Sequence, residues 1–568
     1  MTMSVLDAGK PEQASSDALW WRSAVIYQVY VRSFADSDGD GTGDLRGVRQ
    51  HLQYLKDLGV DAIWFNPWYP SPLADGGYDV SDYRDIHPAF GTLDEAELLI
   101  SEALALGIRT IIDIVPNHVS DQHPWFRAAI AAGPGSPERD RFWFHPGLGE
   151  NGDEMPNHWV SNFAGDTWTR TTNPDGTPGE WYLHLFTPEQ PDLNWNHPDV
   201  VAEHEDILRF WFDRGVAGVR IDSAGLLIKD PTLAEVPENP GPGEHPTEDR
   251  DEVHEVYRAW RRIADSYEGT RVLVGEVWVP DAKRFADYLR PDEMHTAFNF
   301  DFMSRPWGAD EFRASIDLML AAHAPVGAPS TWVLSNHDVT RPVTRYGRED
   351  SSFAFGKKRF GTPTDLVLGT RRARAAALLT AALPGSLYIY QGDELGLPEV
   401  ELPTTLLQDP MHFRSGGVDP GRDGCRVPLP WRGTAAPFGF SPAQAASGPW
   451  LPQPDDWSAI TVEAQEADPE SMLRLYREAI RIRRQEEELG DGTLAWQLGG
   501  RPGVLAFTRG EHFLCVTNLS DAAVELPAHE SVLLASIPLD GGLLPTDSTA
   551  WLRITAADRR GGSEHPAV

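Results

Sequence analysis

The chain has 568 residues, of which 41% are hydrophobic and 24% are charged, the balance of an ordinary globular protein. Its formal net charge of −36 at pH 7 argues against nucleic acid and anionic membranes as partners and suits a neutral substrate. Cys425 and Cys515 are the only cysteines, so disulfides do not organise the fold, and we expect a cytoplasmic protein.

The first predicted elements are a tail over residues 1–20 and a strand over 24–31. The tail contains no apolar core of a signal peptide, and no apolar stretch of the chain is long enough to span a bilayer. We therefore expect no membrane as a partner.

An acidic loop, "DSDGDGTGDL" (36–45), follows the first predicted strand. Its candidate cation ligands are four carboxylates and one backbone carbonyl, from Asp36, Asp38, Asp40, Thr42 and Asp44. The spacing matches the first nine positions of a calcium loop, but the twelfth position is Gly47 rather than the Glu of an EF-hand. Two interpretations remain open, a solvated acidic turn and a structural cation site.

Short β-branched runs alternate with amphipathic stretches through most of the chain. The predicted strands cover residues 24–31, 61–67, 109–117, 215–222, 271–278, 296–300, 331–338 and 386–394. Helices are predicted over 46–59, ending at Gly59, and over 94–107. Eight strands separated by helices predict an α/β protein, a (β/α)₈ or TIM barrel. An open doubly wound sheet is disfavoured because no Gly-rich dinucleotide fingerprint follows an early strand.

The alternation stops twice. Residues 119–195 are rich in Gly, Pro, Asn and Trp and too long for a loop, which predicts a small domain inserted after strand 3. Residues 396–456 are predicted to form a long rim loop and 471–485 a closing helix. Later short strands predict a C-terminal antiparallel β-sandwich. The predicted domains are tails at 1–20 and 561–568, the barrel at 21–118 and 196–488, the insertion at 119–195, and the sandwich at 489–560.

Polar side chains end four of the predicted strands. They are Asp113, Asn117 and His118, then Arg220 and Asp222, then Glu276, then His337 and Asp338. One strand-end carboxylate is usually a salt bridge or a helix cap, but several on separate strands of one barrel converge at the same mouth. Glycoside hydrolysis needs such a set, because one carboxylate attacks the anomeric carbon and a protonated one serves the leaving oxygen. Crowding of like charges keeps one carboxyl group protonated.

These strand ends resemble the conserved regions of the α-amylase superfamily (glycoside hydrolase family thirteen). The segments "DIVPNH", "GVRID", "GEVW" and "SNHD" are similar to its four main regions, in the family's order, and "GVDAIWFNP" and "GDELGL" to two further ones. "QPDLN" (190–194) resembles the form typical of the oligo-1,6-glucosidase branch. The resemblance implies that Asp222 is the nucleophile, Glu276 the general acid/base and Asp338 the carboxylate that stabilises the transition state. It also implies retention, with Asp222 and Glu276 about 5 to 5.5 Å apart.

The resemblance implies a substrate-binding set of Asp75, Tyr78, His118, Phe186, Gln190, Arg220, His337 and Arg422. Arg220 orients Asp222, and the two histidines bind glucose hydroxyls unless they are strand-end core residues. Asp75 and Tyr78 grip the terminal glucose, Arg422 closes the pocket opposite Asp75, and the remaining two flank the next subsite. A turn and a surface salt bridge are the alternative for these loops. The implied activity is an exo-acting retaining α-glucosidase.

Ser223 follows the nucleophile position, where the branch has Val in enzymes that prefer α-1,6 bonds, so we expect α-1,4 substrates such as maltose. One alternative is a transglucosylase or trehalose synthase-type isomerase that uses the same intermediate. A remote one is a non-catalytic carbohydrate-binding module, which the retained carboxylates disfavour. The resemblance further implies structural Ca²⁺, or Mg²⁺, in the acidic loop, a small α-glucoside as the partner, and a monomer or homodimer.

Overall fold

Eight short parallel strands curl into a nearly closed barrel in the computed structural model, which describes residues 19–173, 175–497 and 501–555. The strands are β1 Val25–Val29, β2 Ala62–Phe65, β3 Arg109–Ile114, β4 Gly218–Ile221, β5 Val272–Gly275, β6 Thr296–Ala297, β7 Thr331–Val333 and β8 Ser386–Tyr390. Their order in the sheet is β7-β8-β1-β2-β3-β4-β5-β6. At the seam between β6 and β7, the Thr331 hydroxyl donates to the Ala297 carbonyl at 2.6 Å. The predicted barrel is therefore confirmed, and the open sheet is excluded.

The strands have apolar residues on both faces because both faces are covered. Alternate residues, such as Ile26, Trp64 and Ile111, form a cluster inside the barrel. Their neighbours, such as Ile63 and Ile112, belong to the larger core between the strands and the surrounding helices. Because the strands are parallel, their carboxyl ends all lie at one mouth of the barrel.

The helices are α1 Leu45–Gln50, α2 Leu52–Leu58, α3 Leu93–Ala105, α4 Pro124–Ala132, α5 Pro198–Asp213, α6 Val253–Asp265, α7 Ala282–Asp287, α8 Phe300–Ser304, α9 Ala309–His323, α10 Pro342–Tyr346, α11 Leu366–Ala382, α12 Pro410–Arg414, α13 Val462–Ala467 and α14 Met472–Gln485. The helix predicted over 46–59 is thus divided at His51. The His51 ring stacks on Trp431 at 3.8 Å, a contact that the helical period could not reveal. Gly59 ends α2 with φ of 96°, as predicted.

The segment predicted as an insertion contains α4 and a small antiparallel sheet of its own. The strands Phe144–His145, Pro178–Leu183 and Trp168–Thr172 pair in that order. Trp159, Trp168 and Leu183 lie in a separate apolar cluster beneath this sheet. The segment predicted as a rim loop includes α12 and otherwise has few regular elements.

The C-terminal part is an antiparallel β-structure. Its five-stranded sheet has the order Ala495–Trp496, Val504–Arg509, Phe513–Asn518, Ser548–Arg553, Ser531–Ala535, and a two-stranded sheet pairs Val524–Glu525 with Leu543–Leu544. An apolar cluster that includes Leu514, Val524 and Leu544 joins the two sheets. The other face of the larger sheet contacts the barrel, where the Trp551 indole donates to the Leu378 carbonyl of α11 at 3.1 Å.

Most of the predicted tail 1–20 and all of the tail 561–568 lie outside the described residues. Within the part of the chain that the structure describes, no helix has both the length and the apolar character that a bilayer crossing requires.

Candidate active site

The carboxyl ends of the barrel strands open into one cavity of about 750 Å³. Nine of the eleven predicted catalytic and substrate-binding residues line it: Asp75, Tyr78, His118, Phe186, Asp222, Glu276, His337, Asp338 and Arg422. The other two, Arg220 and Gln190, are buried behind its wall. Side chains from β3, β4, β5 and β7 therefore meet at one mouth, as their positions at strand ends predict.

Arg220 joins three carboxylates at the floor of the cavity. One guanidinium nitrogen, Nη1, donates to Asp113 Oδ1 at 2.8 Å and to Asp222 Oδ1 at 2.6 Å. The other, Nη2, lies 2.6 Å from Glu276 Oε2. Because Asp222 and Glu276 share one planar guanidinium, their carboxyl groups face the same centre rather than separate clefts.

Burial raises the pKa of the Asp222 carboxyl group well above its ordinary range. The charge of Arg220 lowers this pKa, and the charge of Glu276 raises it. Burial also raises the pKa of Asp113 to about 7, while Arg220 lowers it. Asp222 and Asp113 therefore hold their protons more tightly than free carboxyl groups, although both contact Arg220.

Asp338 has the opposite environment. Although burial opposes ionisation, His337 and the guanidinium groups of Arg422 and Arg426 hold the pKa of Asp338 well below its ordinary value. Its Oδ1 accepts from Arg426 at 2.9 Å and from Arg422 at 3.1 Å. Asp338 is therefore a negative charge at the wall of the cavity. The sequence offered no signal for Arg426, which lies 88 positions away along the chain.

Both predicted histidines are neutral. Burial lowers the pKa of His337 well below its ordinary value and that of His118 to about 4. Gln28 donates to His337 Nδ1 at 2.8 Å, so the proton resides on Nε2, which lies 3.3 Å from Asp338 Oδ2. The His337 ring stacks on Tyr78 at 5.2 Å with an interplanar angle of 5°. The rings of His118 and His337 both line the cavity, so neither residue is simply a core histidine.

Arg422 closes one end of the cavity. It donates to Asp75 Oδ1 at 2.5 Å, to Asp338 Oδ1 at 3.1 Å and to Asp409 Oδ2 at 2.7 Å. Its guanidinium carbon also lies 4.7 Å from the centre of the Phe163 ring. Asp409 is fully buried and was not predicted, because its own surroundings in the sequence indicate only the N-cap of α12. The Asp75–Arg422 contact is consequently part of a buried network rather than a surface salt bridge.

Gln190 lies behind the wall that it was expected to form. Its amide donates to Asp75 Oδ2 at 3.1 Å and lies 3.0 Å from His118 Nε2. It therefore positions two cavity-lining residues without lining the cavity. Phe186 does line it, with its ring 5.0 Å from that of His118.

A buried ion pair fastens the inserted segment to the barrel. The Lys229 ammonium lies 2.8 Å from Asp192 Oδ2 and donates to Asn117 Oδ1 at 2.6 Å, and all three residues are buried. Asp192 belongs to the same segment as Gln190, so this pair holds the loop that supports the closed end. Lys229, which follows the end of β4 by eight residues, was not among the predicted site residues.

The wide end of the cavity is walled by residues 240–249 and by Trp278 and Phe355. Trp278 is 41% exposed, and its indole N–H donates to Glu276 Oε1 at 3.0 Å. Ser223 adopts a positive φ of 46°, and its backbone N–H donates to Glu276 Oε2 at 3.0 Å.

The acidic loop brings together three of its predicted ligands. Carboxylate oxygens of Asp36, Asp38 and Asp40 all lie within 4.8 Å of one another, which fits the oxygen ligands that hard cations prefer. Asp44 lies outside this cluster. Its carboxylate instead caps α1 by accepting from the Gly47 N–H at 2.7 Å. An Asp before an amphipathic run often caps a helix, and spacing alone does not distinguish that use from cation binding.

Residues 28–492 match the family described as "Alpha amylase, catalytic domain". The chain is 34% identical over 554 residues to the oligo-1,6-glucosidase of Parageobacillus thermoglucosidasius, covering 90% of this chain and 93% of that protein. It is 35% identical over 539 residues to a probable alpha-glucosidase of Rhizobium meliloti (strain 1021), covering 90% and 92%.

A solved structure with the same fold is that of the alpha-glucosyl transfer enzyme XgtA. It superimposes with a TM-score of 0.81 at 34% identity, covering 94% of this chain and 99% of that one. Three observations indicate the same family: the match of the catalytic domain, the identity over nine-tenths of the chain, and the carboxylates at one barrel mouth. This chain belongs to the α-amylase family, glycoside hydrolase family thirteen.

Proposed function

We propose that this protein is an exo-acting, retaining α-glucosidase that releases glucose from the non-reducing end of short, neutral α-glucosides. One observation carries the proposal: Arg422 bridges Asp75 and Asp338 and so closes one end of the cavity that contains Asp222 and Glu276. A chain that enters from the wide end meets this bridge. The relatives named oligo-1,6-glucosidase and probable alpha-glucosidase support the same activity.

In the first step, an ionised Asp222 oxygen attacks the anomeric carbon and the glycosidic C–O bond breaks. Glu276 gives its proton to the leaving oxygen, so the departing sugar leaves as a neutral alcohol. Arg220 contacts both carboxyl groups, and its charge favours the ionised form of Asp222 that the attack requires. The product is a covalent glucosyl ester of Asp222.

In the second step, Glu276 takes a proton from water as the water oxygen attacks the same carbon and releases Asp222. Each displacement inverts the anomeric centre, so two displacements restore the α-configuration. Asp338, held ionised, faces the positive charge that develops on the sugar. Neutral His337 donates a hydrogen bond from Nε2 to a glucose hydroxyl. Asp75 and His118 bind the outer hydroxyls.

The substrate is proposed to be maltose-type, with α-1,4 bonds, because the small Ser223 follows the nucleophile. We further propose a cytoplasmic enzyme, acting as a monomer or homodimer. Cys425 and Cys515 are both buried and unpaired, which supports a reducing compartment.

Product analysis tests this function. With maltoheptaose, the expected first products are glucose and maltohexaose, because the closed end admits one glucose unit. With 4-nitrophenyl α-glucoside, which releases a single sugar, the glucose is expected to be the α-anomer in early NMR spectra. Maltose is expected to react faster than isomaltose. Early release of maltose or longer fragments contradicts exo action, and early β-glucose from the 4-nitrophenyl substrate contradicts retention.

A second candidate is transglucosylation, in which a sugar hydroxyl replaces water in the second step. The exposed face of Trp278 at the wide end favours it, since aromatic faces bind sugars, and so does the likeness to an alpha-glucosyl transfer enzyme. The same maltose incubation distinguishes the two activities. Trehalose or trisaccharides as the main products identify transfer, whereas glucose alone identifies hydrolysis.

We also propose that the acidic loop binds a structural Ca²⁺, with Mg²⁺ as the alternative. Asp36, Asp38 and Asp40 are the carboxylate ligands, and Thr42 offers its carbonyl. The Gly39 carbonyl of this loop accepts from the Ala446 N–H of the rim segment at 2.8 Å. A cation here braces the rim and takes no part in bond cleavage.

Chelation is expected to lower the Tm by about 3 °C, because a ligand that binds only the folded state stabilises it. Excess Ca²⁺ should restore the Tm. The Asp38→Asn variant should start at the lower Tm and not respond to the chelator, while Asp57→Asn on α2 should behave like the unmodified protein. An unchanged Tm after chelation contradicts the cation site.

A further inference from the structure

The two oxygens of Glu276 have different sets of hydrogen-bond donors. Oε2 accepts from the Ser223 N–H at 3.0 Å and lies 2.6 Å from Arg220 Nη2. Oε1 accepts from Trp278 Nε1 at 3.0 Å. Oε2 accepts one hydrogen bond and faces the positive charge of Arg220, which opposes a proton there, whereas Oε1 accepts one hydrogen bond and retains a free lone pair. A proton carried by Glu276 therefore resides on Oε1, the oxygen that Trp278 contacts.

Trp278 is an unusual donor because it is exposed and yet held in place. Its indole is 41% exposed and lines the cavity, but one face stacks on Phe300 with ring centres 3.7 Å apart and an interplanar angle of 3°. The Phe355 ring approaches it edge-on at 5.5 Å. An exposed aromatic side chain usually varies its rotamer, whereas these contacts fix the direction of the N–H.

We propose that Trp278 is a positioning residue for the acid/base, and that it links proton delivery to the leaving sugar. Its N–H fixes the rotation of the Glu276 carboxyl group and leaves a single lone pair of Oε1 for the transferred proton. The exposed face of the same ring receives the sugar that departs with that proton. This inference rests on the proposed glucosidase function.

The N–H has a predictable effect on chemistry. A donor to a carboxylate favours its ionised form, so Trp278 helps Glu276 to release its proton. Sugar leaving groups need that proton, whereas 4-nitrophenolate leaves without it. Loss of the N–H should therefore affect maltose more than 4-nitrophenyl α-glucoside. A role in sugar stacking alone does not predict this difference.

The test compares Trp278→Phe, which keeps an aromatic ring and removes the N–H, with Phe355→Leu, which removes a ring from the same wall and no donor. For Trp278→Phe we expect kcat/KM on maltose to fall about tenfold and that on 4-nitrophenyl α-glucoside by less than about twofold. The alkaline limb of the maltose kcat/KM profile should move up by about 0.5 to 1 pH unit. Phe355→Leu should lower maltose activity through KM and leave the alkaline limb in place.

Equal losses on both substrates with an unmoved alkaline limb would overturn the inference and leave Trp278 as a stacking surface. The unmodified protein serves as the reference for the underlying function. If it cleaves neither substrate, the proposed glucosidase function fails and this inference fails with it. If it cleaves both, only the comparison of variants decides the role of Trp278. Thermal melting of each variant checks that the fold is intact.

Discussion

Replacing Asp222 with Ala is expected to lower kcat on maltose by about 10⁴ to 10⁶-fold, since it removes the only group proposed to form the covalent intermediate. The fold should tolerate the change. Arg220 keeps Asp113 and Glu276 as partners, and the removed carboxylate was one of three like charges on one guanidinium. The Tm is therefore expected to stay within about 2 °C of that of the unmodified protein.

The stereochemistry of rescue identifies the lost role. In Asp222→Ala, azide can enter the space of the carboxylate and attack α-glucosyl fluoride, whose leaving group needs no strong acid. One displacement inverts the centre, so the expected product is β-glucosyl azide. Glu255→Gln, on an exposed position of α6, is the matched control and should keep full activity. Near-normal turnover of maltose by Asp222→Ala would refute the assignment.

Replacing Glu276 with Ala is expected to lower kcat/KM on maltose by about 10² to 10⁴-fold, the usual contribution of a general acid. The loss should be much smaller on α-glucosyl fluoride in the first step, because fluoride leaves without a proton. The second step then becomes slow, since no base activates water. The glucosyl ester of Asp222 should therefore accumulate and be detectable as a mass increase of the intact protein.

Azide distinguishes this variant from the first. It attacks the glucosyl ester without needing a base, and a second displacement restores the original configuration, so Glu276→Ala should yield α-glucosyl azide. The two variants thus predict opposite anomers from one substrate and one nucleophile. The same anomer from both, or a uniform loss on both substrates with no accumulated ester, contradicts the assignment of Glu276.

Asp222 and Asp338 show how neighbouring carboxyl groups acquire different charges. Both are largely buried, which favours the neutral form. Asp338 accepts from two arginines and lies beside His337, whereas Asp222 shares the single Arg220 with two other carboxyl groups. The number of cations per carboxylate therefore explains why the pKa values of Asp338 and Asp222 shift in opposite directions.

The acidic loop shows what spacing and structure each contribute. The alternation of Asp with small residues is local, and the carboxylates of Asp36, Asp38 and Asp40 lie together in the structure. Asp44 follows the same alternation but begins α1, where its carboxylate satisfies a free backbone N–H of the first turn. The helix that follows Asp44 therefore determines the hydrogen bonds of its carboxylate, which the alternation of Asp residues does not show.

The sequence by itself determined the barrel and the residues at its mouth. Strand periodicity, helix ends such as Gly59 and polar residues after apolar runs are local patterns, and the geometry of parallel strands places their ends together. Asp222, Glu276 and Asp338 could therefore be chosen without coordinates. The divided helix at His51 could not, because Trp431 lies far along the chain.

Only the tertiary structure decided several further contacts of the site. Arg426 contacts Asp338 across 88 positions, Arg422 contacts Asp409 across 13, and Gln190 supports Asp75 from behind the wall. Such pairs depend on how loops from different strands fold over the mouth, and nothing in the residues next to each partner specifies the other. Local sequence sets the position of a side chain along its strand or loop. Its charge and its partners follow from burial and neighbours, which exist only once the chain is folded.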